Sequence, residues 1–350
     1  MVTDNSVLII GGGLAGATLA WQLRRRGWRP RVIDSPAPGH ATTVAAGLIT
    51  PVTGKKLKPE PDFATLLATA SAHYRDVAAS VDQALLLARP AIRRLDTAQA
   101  QVAWASADAS LRALAEPCES PSGLCNAAND PIVRMPDAAR LDTQRYLQAV
   151  RQNLGQDWID ATVQDTAVTA DANAVQVPAL NLSGQFVVFC RGWRDHDNLW
   201  FSELQWRPAK GQLIRVKAPT LDIGTTTLHG NGLWLTQDDD DTYLAGATYS
   251  WDQFEAGPTD ADTQQLTEQL RGLIHCDYTL LEAQVGVRPI VAGRKPVAGI
   301  SNRHARVWLL NGLGSKGALY APTVAQHLVA AMLDRQPIPA AFDVSARMTT

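Results

Sequence analysis

The residues with the clearest chemistry are three glycines near the start of the chain. Gly11, Gly13 and Gly16 satisfy the pattern G-x-G-x-x-G, and Asp34 follows 23 residues after the first of them. Such glycines permit a tight turn and let the backbone approach a pyrophosphate, while an acid at this distance accepts hydrogen bonds from a ribose. These four residues predict a site for a dinucleotide.

The segments around the glycines follow the order that a dinucleotide turn requires. Residues 7–10 form a continuous apolar run, which is typical of a strand inside a parallel sheet. A helical pattern over residues 17–26 ends at Gly27, and residues 31–34 indicate a second strand ending in the acid. The start of the helix would offer unpaired N–H groups to phosphates. A glycine-rich turn before an ordinary helix is the alternative, but the complete order favours dinucleotide binding.

The composition limits the class of protein. A chain of 350 residues predicts roughly two domains, at about 150 residues each. Hydrophobic residues make up 46% and charged residues 19%, which argues against disorder. The net charge of −2 argues against a strongly basic nucleic-acid-binding protein.

Membrane, disulfide and metal signals are weak in this sequence. No apolar run approaches the roughly 18 to 20 residues of a membrane helix, and residues 1–6 lack the basic start of a secretory signal. Four cysteines are too few for a disulfide scaffold, and none has zinc-ligand spacing. We expect a soluble, reduced, cytoplasmic protein without a membrane span or a metal site.

The loop after the acid distinguishes between cofactors. Residues 39–51 are mostly small and do not continue as the third strand of a classical NAD-binding fold. This loop, with Ala46, Gly47 and Leu48, resembles the D-amino-acid oxidase and glycine oxidase family of FAD-dependent oxidoreductases. In that family a loop ending in Ala-Gly-hydrophobic runs beneath the flavin.

Later segments show the same resemblance in the same order along the chain. They are residues 187–193, 208–212, 244–249, 286–289 with 295–297, and 311–317 with 321–322. Each motif is weak singly, but their order and spacing are specific. Residues 76–135 match no motif.

The resemblance implies an α/β fold with two domains. A discontinuous, Rossmann-like FAD-binding domain would comprise residues 1–75, 136–195 and 285–350. A second domain, a mainly antiparallel β-sheet with helices, would comprise residues 76–135 and 196–284 and shape the substrate site.

Periodicity within the second domain predicts individual elements. Alternating residues indicate strands over 213–216, 232–235 and 242–245, and an apolar stripe indicates a helix over 259–274. The acids at 238–241 invite a metal interpretation, but adjacent acids in an extended turn cannot all face one ion. A solvated hairpin turn is the preferred interpretation.

The resemblance also implies which residues contact a non-covalent FAD. Covalent attachment is not expected, because no cysteine follows Cys276 and Val44 stands where relatives attach flavin through histidine. The implied contacts are Gly11, Gly13, Leu14, Ala15, Gly16, Asp34, Ser35, Thr42, Thr43, Ala46, Gly47, Leu48, Val163, Cys190, Gly192, Arg288, Gly312, Gly314, Ser315, Lys316 and Gly317.

Three residues are candidates for chemistry on the substrate side. In the family an arginine at the place of Arg288 pairs with the substrate carboxylate, for which its planar fork is suited. A structural arginine bound to a carboxylate of the protein is the alternative. Tyr249 would line the pocket. Lys316, near the place of an arginine in relatives, could bind a carboxylate, lie near the flavin or be a plain surface lysine.

The reaction implied by the resemblance is oxidation of the C–N bond of an amino acid or secondary amine. Hydride would pass to flavin N5, the resulting imine would hydrolyse, and O₂ or another acceptor would reoxidise the flavin. The sequence leaves the substrate, its stereochemistry, the acceptor and the oligomeric state open.

Two alternatives remain. Residues 50–58 contain Lys55, Lys56 and Lys58 and resemble the oxidase domain of the bifunctional enzyme that modifies the wobble uridine of tRNA. That similarity implies an FAD oxidase acting on an amine carried by a larger molecule, such as modified tRNA or a biosynthetic intermediate, although the net charge argues against a nucleic-acid partner. The other alternative is a dinucleotide-binding protein without amine chemistry, or an NAD enzyme on a related fold.

Overall fold

The computed structural model describes residues 5–36 and 40–348, so Gly39 of the small-residue loop lies outside the described residues. The helices within these ranges are α1 (Leu14–Arg25), α2 (Ala41–Val44), α3 (Phe63–Ala78), α4 (Ala98–Ala105), α5 (Ala109–Arg112), α6 (Thr143–Leu154), α7 (Asp260–Arg271) and α8 (Gly317–Asp334). The strands are β1 (Ser6–Ile10), β2 (Arg29–Asp34), β3 (Leu48–Ile49), β4 (Val52–Thr53), β5 (Lys58–Pro59), β6 (Leu86–Ala88), β7 (Ala91–Arg94), β8 (Glu116–Pro117), β9 (Ile132–Met135), β10 (Ala139–Leu141), β11 (Trp158–Asp160), β12 (Thr169–Ala170), β13 (Val175–Val177), β14 (Leu182–Gly184), β15 (Phe186–Phe189), β16 (Ala209–Lys217), β17 (Thr227–Gly230), β18 (Leu233–Asp239), β19 (Thr242–Gly246), β20 (Thr279–Arg288), β21 (Val297–Ile300) and β22 (Val307–Asn311).

A mainly parallel sheet contains the first two strands. Its order is β11-β2-β1-β15-β22-β21, and every neighbouring pair is parallel except β21 with β22. All five residues of β1 are buried, as the continuous apolar run predicts. Parallel strands place their carboxyl ends at one edge, so the ends of β1, β2, β15 and β22 meet there.

Both faces of this sheet are covered. Helices α1, α3, α6 and α8 form one apolar layer with the sheet, and Leu19, Leu23, Tyr74 and Leu328 in it are fully buried. The opposite face packs against the small sheet β12-β13-β14. This two-sided covering is the packing that a parallel sheet requires.

A second, mainly antiparallel sheet has the order β20-β16-β19-β18-β17-β7-β9-β8. Its neighbours are antiparallel except β17 with β7. Leu266 and Leu270 of α7 pack on one face of this sheet. The predicted fold class is therefore confirmed: a Rossmann-like α/β unit is combined with a second sheet and helices.

The elements predicted from periodicity are found with shifted ends. The three predicted strands lie in β16, β18 and β19, and the predicted helix is α7, which begins after the capping residue Thr259. Helix α1 begins at Leu14, inside the glycine motif rather than after it. The predicted domain limits at 75/76 and 284/285 fall inside α3 and β20, and the division into two domains stays a prediction.

The described residues contain neither a helix that could span a membrane nor a cluster of metal-ligating side chains. Across residues 5–36 and 40–348, no helix has the length and apolar character needed to span a membrane. In the same part of the chain, no group of three or more His, Cys, Asp or Glu residues gathers as a metal site.

Candidate active site

A long cleft runs between the carboxyl edge of the parallel sheet and one face of the antiparallel sheet. The space that protein atoms leave empty in and at the mouth of the cleft, which includes space open to solvent, is about 1740 Å³. Many of the predicted contact residues line it: Gly11, Gly13, Leu14, Ala15, Asp34, Ser35, Thr42, Ala46, Gly47, Leu48, Val163, Cys190, Gly192, Arg288, Gly314, Ser315 and Gly317.

The glycine turn between β1 and α1 forms one end of the cleft. Gly11 has a φ of +108°, which only glycine adopts readily. A Cβ on Gly16 would lie 1.9 Å from the carbonyl oxygen of Gly11, so this glycine permits close packing between the turn and the helix. A Cβ on Gly13 would meet only Thr42 Oγ1, at 3.3 Å, which leaves this position facing the cleft.

Two side chains fix the conformation of that turn. The Gly12 N–H donates to Asp34 Oδ1 at 2.8 Å, and the Leu14 N–H donates to Thr42 Oγ1 at 3.0 Å. Gly13 caps α1 without a side-chain hydrogen bond, and the first turn contains no acidic residue. No acidic residue of the helix itself offsets the positive end of its dipole, which faces the cleft as a pyrophosphate requires. The residues present fit FAD at this end.

A buried polar network supports the middle of the cleft. Arg191 Nε donates to Asp195 Oδ1 at 2.8 Å, and Asn311 Nδ2 donates to Asp195 Oδ2 at 2.7 Å. The Gly312 N–H donates to Asn311 Oδ1 at 2.8 Å. Asp195 is fully buried, and its two oxygens connect the ends of β15 and β22. Sequence reasoning did not identify this residue.

The small-residue loop passes along the cleft and is held from behind by β10. Gly47 has a φ of +69°, and a Cβ there would lie 1.9 Å from the Leu141 carbonyl oxygen. The Leu141 N–H donates to the Gly47 carbonyl at 2.9 Å, and Arg140 Nε donates to the Ala46 carbonyl at 3.0 Å. These contacts keep the backbone of the loop close to the cleft.

Arg288, at the end of β20, lines the other end of the cleft. Its Nη1 donates to the carbonyl oxygens of Thr248 at 3.3 Å and Lys210 at 3.4 Å, and its guanidinium carbon lies 4.0 Å from the ring centroid of Tyr249. A Cβ on Gly211 would lie 2.3 Å from Nη1, so this glycine makes room for the guanidinium. Burial lowers the pKa of Arg288, and Tyr249 opposes that shift.

In the described part of the chain, Arg288 does not form the ion pair with a protein carboxylate that the sequence left open as an alternative. Among the residues that the structure describes, no carboxylate pairs with its guanidinium. Tyr249 covers Arg288 but does not line the cleft, and 57% of the tyrosine is exposed. Trp251 lies beside it and is 58% exposed, with the two ring centroids 6.3 Å apart.

Lys316 points away from the cleft. Its Nζ donates to Glu60 Oε2, and the hydroxyl of Tyr320 donates to the same carboxylate. Lys295 Nζ lies 3.4 Å from Glu60 Oε1. Burial raises the pKa of Glu60, but the hydrogen bonds and positive charges of its partners outweigh burial and leave the pKa below its usual value.

Three further predicted contacts do not line the cleft. Gly16 packs against the turn, and a Cβ on Gly312 would meet Val291 and Val297 behind the cleft. Thr43 Oγ1 donates to the His40 carbonyl at 2.9 Å. The roles of all the predicted contacts in binding stay predictions.

Several lining residues were missed from the sequence. Trp193 is the last residue of the motif 187–193 but was not among the predicted contacts, and Arg194 directly follows that motif. Leu213 and Trp234 lie in predicted strands. The face of the sheet to which their side chains belong follows from the pairing of β16, β18 and β19. His40 lies in the small-residue loop and had no separate signal.

Comparison with known proteins agrees with this geometry. A protein from Marinobacter nauticus named as the tRNA 5-methylaminomethyl-2-thiouridine biosynthesis bifunctional protein is 26% identical over 93% of this chain and 55% of its own length. This chain therefore spans about half the length of that relative. The uncharacterized oxidoreductase YurR from Bacillus subtilis is 22% identical over 95% of both chains.

Solved structures show the same fold. Glycine oxidase from Geobacillus kaustophilus superposes with a TM-score of 0.80 at 17% identity, covering 98% of each chain. Iminodiacetate oxidase from Chelativorans sp. BNC1 superposes with a TM-score of 0.74 at 21% identity, covering 95% of this chain and 96% of its own. A family model described as FAD dependent oxidoreductase matches residues 6–331. The glycine turn, the cleft and this match together establish that the chain belongs to the FAD-dependent oxidoreductase family.

Proposed function

We propose that this protein oxidises the C–N bond of a carboxylate-bearing amine, either an amino acid or a secondary amine. The observation that supports the proposal is the guanidinium of Arg288, which lines the cleft and has no carboxylate partner in the described part of the chain. A half-buried cation held only by carbonyl oxygens and an aromatic face is suited to an anion from outside the protein.

The side chains that line the cleft have separate tasks in this reaction. When bound, FAD supplies the two-electron acceptor. Arg288 would hold the substrate carboxylate and so orient the carbon beside the amine. Apolar Leu213 and Trp234 line the same cleft and exclude water, which favours the neutral amine that oxidation requires. The resulting imine would hydrolyse in water.

The loop before α8 would favour negative charge on the acceptor side. Gly314, Ser315 and Gly317 line the cleft at the N-terminus of α8, an 18-residue helix. The positive end of a helix dipole stabilises negative charge that develops there during reduction. The names of two structural neighbours, glycine oxidase and iminodiacetate oxidase, support a carboxylate-bearing amine as the substrate class.

The visible spectrum of the FAD-loaded protein under anaerobic conditions tests the proposal. Glycine, sarcosine and D-proline are added separately, and bleaching of the flavin bands by one of them is the expected result. Arg288→Ala should raise KM for that substrate by an amount equivalent to about 2–5 kcal/mol, because truncation removes the half-buried cation that pairs with the substrate carboxylate.

Arg134→Ala is the matched control for this experiment. Arg134 is 43% exposed and pairs with Glu116 at 3.3 Å on the surface, away from the cleft lining. An unchanged KM in Arg288→Ala would remove this arginine from the substrate site. If none of the amines bleached the flavin, the proposal of a small substrate would be wrong.

A second candidate is oxidation of an amine carried by a larger anionic molecule, such as a modified tRNA. Lys55, Lys56 and Lys58 are exposed on the hairpin of β4 and β5, which follows the small-residue loop. The name of the Marinobacter nauticus relative supports this alternative. Binding of tRNA that weakens with salt, and weakens further when the three lysines are replaced by glutamine, is its expected signature.

A further inference from the structure

Among the charged side chains that line the cleft, positive charges outnumber negative charges. Asp34 faces the glycine turn, where it accepts the Gly12 N–H. Arg191 is neutralised by Asp195, at 2.8 Å, and by a second buried carboxylate. Two further guanidinium groups, those of Arg194 and Arg288, also line the cleft. Neither has a carboxylate partner within residues 5–36 and 40–348.

Arg194 is placed in the cleft by a rigid turn. It lies in the 3₁₀ turn Gly192–Asp197, which is pinned by the buried carboxylate of Asp195. Its guanidinium carbon lies 5.4 Å from the ring centroid of the buried Trp193. Trp193 in turn packs against His196, with ring centroids 5.4 Å apart. The guanidinium is therefore half-buried and supported by an aromatic ring, with no protein anion to neutralise it.

Arg194 and Arg288 line the same cleft. The turn that contains Arg194 packs against β20, whose last residue is Arg288. Trp193 also packs against Phe254, with ring centroids 5.5 Å apart. Phe254 follows Tyr249, whose ring covers Arg288, on the same connecting segment. The turn that contains Arg194 therefore lies beside the strand that ends in Arg288 and beside the segment whose Tyr249 covers Arg288.

We propose that Arg194 binds a second anionic group of the substrate, so that the preferred substrate is an amine with two acidic groups. One carboxylate would pair with Arg288 and the other with Arg194. This inference rests on the proposed amine oxidation. Two guanidinium groups that lack a carboxylate partner in the described part of the chain and line one low-dielectric cleft favour a doubly negative ligand over a singly negative one, and each planar fork suits a carboxylate.

A pair of substrates that differ by one carboxylate tests this assignment. Sarcosine has one carboxylate and iminodiacetate has two, and both are secondary amines. In the FAD-loaded wild-type protein, kcat/KM should be higher for iminodiacetate. In Arg194→Gln the ratio of kcat/KM for iminodiacetate to that for sarcosine should fall by about 10–100-fold, while Arg194→Lys should recover part of it.

Arg303→Gln is the control for the loss of a positive charge near the surface. Arg303 is 46% exposed and pairs with Glu203 at 3.4 Å, outside the cleft lining. This control should keep the wild-type ratio. An unchanged ratio in Arg194→Gln would overturn the assignment.

The phosphates of bound FAD are the other anions that Arg194 could contact. The dissociation constant of FAD, measured by quenching of flavin fluorescence, distinguishes the two roles. A large weakening of FAD binding in Arg194→Gln without a change in the substrate ratio would overturn the inference.

Binding measurements separate this inference from the proposed function. If wild-type protein oxidised neither amine, the proposed oxidation of such substrates would be wrong. The affinity of the FAD-loaded protein for iminodiacetate, relative to acetate, would then decide the inference alone. A preference for iminodiacetate that is lost in Arg194→Gln supports it, and equal affinities in both proteins contradict it.

Discussion

At the scale of single residues, the surroundings of a charge distinguish a structural cation from one that can bind a ligand. Lys316 and Arg288 are both predicted on the substrate side. The structure gives Lys316 the buried carboxylate of Glu60, whereas Arg288 contacts only carbonyl oxygens and a ring. An arginine without a protein anion gains more from a substrate carboxylate than a lysine that must first leave its partner.

His73 shows how burial controls a residue that the proposed reaction does not use. It lies on α3, and its Nε2 is 2.9 Å from the hydroxyl of Tyr146. Burial lowers the pKa of His73 to about 4, and the charge of Asp76 only partly opposes that shift. The histidine is therefore neutral in the folded protein at neutral pH.

This low pKa predicts a loss of stability in mild acid. Because the folded pKa of about 4 lies below the usual histidine pKa of 6.5, the contribution of His73 is complete above pH 6.5 and is lost as the pH falls towards 4. At pH 5 the loss from this group is about 2 kcal/mol. His73→Gln removes the titrating group. The free energy of unfolding of this variant should therefore fall less between pH 7.5 and pH 5 than that of the wild-type protein.

Urea unfolding at the two pH values measures that difference. His229 is half-buried, and loss of hydration at its ring lowers its pKa to about 3; it contributes equally to both proteins, so the comparison isolates His73. The measurement at pH 7.5 is the internal control for any loss of the hydrogen bond to Tyr146. Parallel pH profiles for the two proteins would contradict the assignment.

At the scale of elements, two glycines of the same turn serve different purposes, one in folding and the other in binding. A Cβ on Gly16 would collide with the Gly11 carbonyl oxygen, which belongs to the backbone and cannot move alone. A Cβ on Gly13 would meet one side-chain oxygen and otherwise extend into the cleft, and its φ of −67° suits alanine.

The two alanine variants should therefore affect different properties, stability in one case and FAD binding in the other. Gly16→Ala should lower the free energy of unfolding by about 3 kcal/mol, because overpacking forces the turn and helix apart. Gly13→Ala should fold normally and bind FAD about tenfold more weakly, because its methyl group occupies the approach of the pyrophosphate. Urea unfolding of FAD-free protein and titration with FAD measure the two effects. Equal losses of stability in both variants would show that the cleft-facing assignment of Gly13 is wrong.

The start of α8 shows what local sequence signals leave out. The proline at 322 predicts a helix beginning near residues 321–322, but α8 begins at Gly317. A proline inside the helix cannot donate to the carbonyl four residues earlier, that of Ala318. The hydroxyl of the buried Tyr74 donates to that carbonyl instead, at 2.8 Å. Because Tyr74 lies 244 residues away in the chain, periodicity around Pro322 contains no sign of it.

The first strand, turn and helix were predictable because their signals are adjacent in sequence. The cleft was predictable only in part, since its far wall is formed by side chains of β16, β18 and β20 that meet the glycine turn through tertiary packing. Asp195 is the clearest example, because its role depends on the side chains of Arg191, which follows β15, and of Asn311, at the end of β22.

At the scale of the whole molecule, one arginine connects the antiparallel sheet to the loop that lines the cleft. Arg140 donates to the carbonyls of Ala46 at 3.0 Å and Gln237 at 2.9 Å, and to Asp238 Oδ1 at 2.7 Å. Asp238 also pairs with Arg215 at 3.1 Å. The expectation that the whole acidic run is a solvated turn is therefore wrong for Asp238, because two arginines neutralise it.

This connection predicts that two neighbouring acids differ in importance. Asp238→Asn should lower the free energy of unfolding by about 2 kcal/mol, because it leaves the charge of Arg140, whose side chain is 7% exposed, without its anion. Since Arg140 also holds the Ala46 carbonyl, the same variant should release FAD at a lower urea concentration than the wild type does. Asp240→Asn, in the exposed turn between β18 and β19, should change neither quantity. Urea titration followed by flavin fluorescence and by circular dichroism measures both, and equal effects of the two substitutions would show that the acidic run acts only as a turn.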